Sequence, residues 1–356
     1  MADRPDALSS AQLSELTFLS DPQLSADGER AFCVRTVVED RGDDPPGYRA
    51  EIVEVDVEVD LDAPRERAVR VVAGGTDGAE HPRLSPDGRW LAFLAKRGGD
   101  DAKQLRLLDM ARGGEARVLT ELAGGVETFA WRPDGGALAV VGRAEAPEKD
   151  DAKVVARTVE RLHAKKDGLP VPGLRPAEPT GLWFVDAARG DARRLDAPGD
   201  GVADLAWGPD GRTLWLLGAE DAEEGDAWRA GIWRLRLDAR GRTREALSRR
   251  GPSRLAPSAL AVAEDGGTLA WLAPADGETL SSPTALWTMP AEGGEAARRT
   301  DADLDAAPSV GGDARHGRYP NRPVATPDGW LLTVNREGAS GPALLDDGGS
   351  LAPRLD

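Results

Sequence analysis

The residues of this chain whose chemistry could turn over a substrate are few and scattered. Histidine occurs three times, at His81, His163 and His316, and cysteine once, at Cys33. No histidine has a His or Cys partner at ligand spacing, so the pattern offers no zinc site. A serine nucleophile for acyl transfer usually sits in Gly-x-Ser-x-Gly, where a strained strand-to-helix turn exposes the hydroxyl. The nearest approach is Gly338-Ala339-Ser340-Gly341-Pro342, with one glycine a place early and proline at the end. All three histidines precede Ser340, whereas that elbow goes with the order Ser, acid, His. No catalytic residue is therefore assigned.

Other clusters are ambiguous. Thr300-Asp301-Ala302-Asp303-Leu304-Asp305 begins like a calcium loop, which needs Gly at its sixth position and Glu at its twelfth. Ala306 and Gly312 occupy those places, which favours a polar connecting loop. The basic group Arg157, Arg161, His163, Lys165 and Lys166 suits a substrate carboxylate, a partner's acidic group or, more simply, a solvated helix face. Neither a phosphate loop nor a dinucleotide fingerprint occurs, and neither cofactor nor metal is expected.

Forty-five basic residues face 62 acidic ones, a net charge of −17. Such a chain repels phosphate backbones, so nucleic acid is excluded as an expected partner. No apolar run approaches membrane-spanning length, and the start Met1-Ala2-Asp3-Arg4-Pro5-Asp6 lacks the apolar core of a secretory signal. A cytoplasmic chain without membrane contact is the expectation. The single Cys33 excludes an intrachain disulfide and reads as a buried, inert thiol.

The elements that would position any site are set by a phrase that returns six times. Its copies are Pro22 to Gly28, Pro82 to Gly88, Ala130 to Gly135, Ala206 to Gly211, Ala261 to Gly266 and Val324 to Gly329. Each ends in Asp-Gly, which marks a turn: Asp bonds nearby backbone, and Gly accepts positive φ without steric cost. Apolar runs leave the turn, such as Trp90 to Ala95, Ala137 to Val141 and Thr213 to Leu217. Continuous apolar runs of this length read as strands buried on both faces. A more alternating third strand follows, at Gln104 to Asp109, Leu182 to Asp186, Ile232 to Leu237 and Leu286 to Met289. A polar fourth strand closes the unit, at Ala116 to Thr120, Ala192 to Leu195 and Ala296 to Thr300. Four strands graded from apolar to polar make one blade of a β-propeller.

The fold class expected is thus all-β, a propeller with six recognisable four-stranded blades. After a lead-in over 1–20, the blades fall at about 21–79, 80–125, 126–200, 201–250, 251–304 and 305–356. The third blade carries an insertion at about 143–180, read as a short helix or hairpin over Asp151 to His163 followed by a Pro-rich loop. The ten tryptophans, among them Trp131, Trp207, Trp215, Trp233, Trp271 and Trp287, recur at equivalent strand positions. They read as packing residues. His81 reads as capping or packing a turn.

Phe18-Leu19-Ser20-Asp21-Pro22-Gln23-Leu24-Ser25-Ala26-Asp27-Gly28 resembles the opening blade of the prolyl oligopeptidase (S9) family of serine peptidases. The acylaminoacyl-peptidase and dipeptidyl-aminopeptidase-like branch is the most similar. Pro82-Arg83-Leu84-Ser85-Pro86-Asp87-Gly88-Arg89-Trp90-Leu91-Ala92-Phe93 and the inserted Lys165-Lys166-Asp167-Gly168 carry the same resemblance, which spans essentially the whole chain. It implies an N-terminal propeller that gates short peptides through its channel toward an α/β-hydrolase domain following in cis. In that family the propeller usually has seven blades, so the resemblance implies a chain stopping one blade and one catalytic domain short, inactive alone. The other expectation is a complete six-bladed propeller related to TolB and WD40 types, serving as a protein-binding scaffold. Glu223-Glu224 resembles the paired acids with which dipeptidyl peptidases hold a substrate amino terminus. That motif's aromatic context is missing here, and a solvated acidic loop is the competing reading.

Overall fold

Each copy of the repeated phrase closes a hairpin through bonds made within a few residues of itself. A computed structural model describes residues 15–41, 44–57, 69–74, 78–146, 179–199, 201–219, 229–251, 254–277, 279, 281–301, 304–306, 321–336 and 339–353. In the second copy the Gly88 N–H donates to Ser85 O at 2.8 Å and the Ser85 N–H to Trp90 O at 2.7 Å. Asp87 Oδ1 accepts from Ser85 Oγ at 2.5 Å and from the Arg89 N–H at 3.1 Å. The turn glycines of the first five copies have φ between 61° and 74°. The sixth copy closes more tightly. There Thr326 pairs directly with Gly329, the first residue of its strand, across a two-residue loop.

The chain is an all-β propeller of six four-stranded blades, with no helix among the described residues. Backbone contacts divide it into two units. The first unit holds β1 (Thr17–Leu24), β2 (Arg30–Arg41), β3 (Asp44–Asp56) and β4 (Val69–Ala73), paired in that order. It also holds β5 (Ala79–Leu84), β6 (Trp90–Ala95) and β7 (Gln104–Asp109), with β8 (Arg117–Val118) closing the second blade at the unit boundary. β1 starts at Thr17, four residues ahead of the blade start read from the sequence.

The second unit holds the other four blades. The third is β9 (Val126–Trp131), β10 (Ala137–Gly142), β11 (Gly181–Asp186) and β12 (Ala192–Leu195). Its β10 and β11 pair in unbroken register from Ala137↔Asp186 to Gly142↔Gly181. Next come β13 (Val202–Trp207), β14 (Thr213–Gly218), β15 (Arg229–Leu237) and β16 (Thr243–Arg249), with β17 (Arg254–Leu255) returning to pair with β15. The fifth blade is β18 (Ser258–Val262), β19 (Thr268–Pro274), β20 (Thr284–Pro290) and β21 (Ala297–Arg298). The sixth is β22 (Val324–Thr326), β23 (Gly329–Arg336), β24 (Ala339–Leu345) and β25 (Leu351–Pro353). The helix or hairpin expected over Asp151 to His163 lies outside the described residues.

The second strands of the second to fifth blades are almost wholly apolar because alternate side chains enter different cores. In β14, Leu214 and Leu216 pack with Val141, Leu182 and Phe184 of the third blade. The residues between them, Trp215 and Leu217, pack with Leu269, Trp271 and Trp287 of the fifth. In β19, Ala270 and Leu272 turn instead to Trp330, Leu332 and Val334 of the sixth. Phe32 and Ile52 meet Leu84, Leu91 and Phe93 in the first unit. Each large side chain so buried stabilises by roughly 1.5–3 kcal/mol.

β3 also buries two carboxylates, each between two guanidinium groups. Arg35 and Arg49 donate to Glu51, and Arg30 and Arg70 donate to Glu54. Pairing of this kind is what lets ionised groups stay inside a sheet.

Candidate functional site

Several buried polar side chains lie where the first strands of the blades depart from regular pairing. Register shifts occur between Ser20 and Gln23 in β1, Glu80 and Arg83 in β5, Val202 and Asp204 in β13, and Ser258 and Ala261 in β18. A bulge leaves a residue unpaired and re-aims its side chain. Asp21, His81 and Ala259 have φ of 50°, 58° and 56°, a left-handed conformation uncommon outside glycine.

In the first unit these bulges bring Asp21, His81 and Arg83 together. Asp21 Oδ2 lies 3.2 Å from His81 Nδ1, and Asp21 Oδ1 lies 2.8 Å from Arg83 Nη1. Burial pushes the Asp21 carboxyl up, but the His81 hydrogen bond and the Arg83 charge together outweigh it and hold the group below the usual carboxylate range. An Asp–His pair is part of a hydrolytic triad in composition. Yet His81 is 1% exposed, and a general base must reach a substrate or a water. The pair ties two bulged strands together. His81 thus packs within a strand, not at a turn.

The second unit has a counterpart spanning three blades. Asp204 accepts the Leu205 N–H at 2.8 Å through Oδ1 and the Leu260 N–H at 2.9 Å through Oδ2. Arg322, two residues before β22, donates to Asp204 and to the carbonyl oxygens of Leu260 and Leu205. Sequence reasoning did not find Arg322 or Asp204, which are 118 residues apart. The Asp-Pro and His-Pro pairs at residues 21–22 and 81–82 were a readable signal for the bulges of the first two blades.

The residues singled out from the sequence do not converge. Ser340 lies on β24 opposite Asn335 and donates to Asn335 Oδ1 at 2.5 Å, in extended backbone with no strand-to-helix turn. Asp305 accepts the Thr284 N–H and the Asn335 side-chain amide, so it links the fifth and sixth blades. No cluster of metal-binding groups occurs among the described residues. Glu223, Glu224, Arg157, Arg161, His163, Lys165, Lys166 and His316 lie outside them. The indole N–H groups of Trp207, Trp233 and Trp287 donate to Ala130 O, Gly218 O and Pro274 O, as packing residues would. Cys33 is buried, and burial pushes its thiol up.

An open cleft of about 550 Å³ lies between the fifth and sixth blades. Met289, Pro290 and Trp330 are among its apolar lining, and Glu264, Asp265, Glu295 and Arg299 among its charged residues. Among its described lining residues there is no histidine, cysteine or serine. Among the described residues no helix is long and apolar enough to cross a membrane.

No family model matches the chain. An uncharacterized peptidase of Bacillus subtilis (strain 168), YuxL, is 31% identical over 221 residues, or 60% of this chain. The chain spans 31% of that relative's length. Among solved structures, the β-propeller domain of the trilobed protease from Pyrococcus furiosus matches 96% of this chain and 84% of its own, with a TM-score of 0.60 and 16% identity. Prolyl oligopeptidase B from Galerina marginata matches 96% of this chain and 44% of its own, with a TM-score of 0.57 and 12% identity. The resemblance read from the sequence therefore holds at the level of fold: the chain is similar to the N-terminal propellers of prolyl oligopeptidase-family peptidases.

Proposed function

We propose that this chain is the substrate-gating propeller of an S9-type serine peptidase that cleaves acylated or otherwise short peptides. The observation that carries the reading is the 31% identity to a peptidase over 221 residues. The propeller fold, matched by solved peptidase structures, supports it. Chemistry would reside in an α/β-hydrolase partner domain: a Ser-His-acid triad attacks the peptide carbonyl, and an oxyanion hole receives the developing charge. The propeller's part is exclusion. A propeller cap admits an extended peptide more readily than a folded chain, so it limits what reaches the nucleophile. Glu223 and Glu224 remain the candidate contacts for a substrate amino terminus.

The test is to read the coding sequence downstream of the Asp356 codon and to challenge the isolated chain with a fluorophosphonate. The expected result is a seventh blade and Gly-x-Ser-x-Gly, followed by an acid and a histidine, with the isolated chain unlabelled. A stop codon followed by unrelated sequence would overturn the reading in favour of a binding scaffold. Labelling of the isolated chain would overturn it in favour of chemistry within the propeller.

A further inference from the structure

The first strands of the three last blades are unequal. β13 runs for six residues and β18 for five, but β22 has only three. β13 and β18 are both bulged, whereas β22 pairs with β23 in unbroken register. Arg322 lies two residues before this short strand, where a β22 as long as β13 would already have begun. Its guanidinium meets a side chain 9% exposed, Asp204, and the carbonyl oxygens of Leu205 and Leu260, residues 1% and 0% exposed. Asp204 is in turn fixed by two backbone N–H groups, one from its own strand and one from β18. One cation and one carboxylate thus join the first strands of two blades to the approach to a third.

We propose that Arg322 is a latch: it fixes the short first strand of the sixth blade to the fourth and fifth, and its release frees that strand while the neighbouring blades stay closed. Selectivity follows from the packing. The second strand of the sixth blade has its own core contacts through Trp330, Leu332 and Val334, so loss of the latch loosens the strand's edge without opening the blade. A planar guanidinium is needed to serve two carbonyls and a carboxylate at once, which a lysine cannot reproduce. The inference does not depend on the peptidase reading.

Hydrogen exchange on the whole chain tests it. In Arg322→Ala, the amides of Val324, Thr326 and Leu331 are expected to exchange about tenfold faster or more, since a buried carboxylate loses its partner. Amides of β14 and β19 should keep their protection. Arg322→Lys should fall between wild type and Ala, and it provides the readout if the alanine variant does not fold. The double change Asp204→Ala with Arg322→Ala should cost less than the two single changes added. Unchanged exchange at β22 overturns the latch. So does acceleration spread equally over β14, β19 and β22, or strict additivity of the two changes.

Discussion

Gly241→Ala tests how closely one blade's turn is pressed onto its neighbour. Gly241 lies in the β15–β16 turn with φ of +69°, and a Cβ built there would sit 2.4 Å from Cγ of Phe184 on β11. The turn cannot easily lift away. Arg132 Nη1 donates to Ala239 O at 2.8 Å and Arg193 Nη2 to Arg240 O at 2.9 Å. Both guanidiniums also lie over the Phe184 ring, 5.5 and 6.0 Å from its centroid. Two costs therefore add. A non-glycine residue in the left-handed region costs about 1–2 kcal/mol, and forcing a methyl into a packed contact costs about 1–3 kcal/mol more. The matched control is Gly349→Ala in the same unit, where φ is +88° but nothing lies within 4 Å of the added Cβ. Urea unfolding followed by tryptophan fluorescence should place Gly241→Ala about 1–3 kcal/mol below that control. Shortening the ring with Phe184→Leu should return part of the difference. Equal destabilisation of the two glycine variants would refute the close approach.

Two further outcomes follow from buried ionisable groups. Asp21 titrates below the usual carboxylate range in the folded protein, so its contribution is present above the unfolded value near 3.8 and is lost as pH falls through the lower folded value. The stability gap between wild type and Asp21→Asn should shrink as the pH falls below about pH 4; a gap unchanged there would contradict the pairing with His81 and Arg83. Cys33 is 7% exposed, so a thiol reagent should react with unfolded protein at least tenfold faster than with native protein, and comparable rates would place the thiol outside the core.

What could be read from the sequence was whatever is encoded within a few residues. The strand Trp90 to Ala95 was legible to the residue because six apolar side chains in a row, next to Asp-Gly, have few other solutions. Of the fourth strands, Ala192 to Leu195 was read to the residue, but Ala296 to Thr300 narrows to Ala297–Arg298, since an exposed edge pairs only where its neighbour holds it. Bulges escaped because one extra residue leaves the apolar pattern on either side almost intact. The pairing of Arg322 with Asp204 was illegible for another reason. Nothing about either residue's neighbours in sequence announces a partner two blades away, and each looks like one more surface charge among many.

The pairing of β10 with β11 says something about where this chain can change length. Between Gly142 and Gly181 lie 38 residues, against eight between β6 and β7 of the preceding blade. The two strands nevertheless meet in six consecutive pairs without a slip. Closing the longer excursion costs only about 1.4 kcal/mol more than closing the shorter one, because loop entropy grows as the logarithm of length. The strands, whose side chains fill a shared core, therefore dictate the alignment whatever the length of the connection. A foreign segment spliced there, or a deletion made there, should leave the blade standing, which makes this crossing the natural place for evolution or an engineer to write something new.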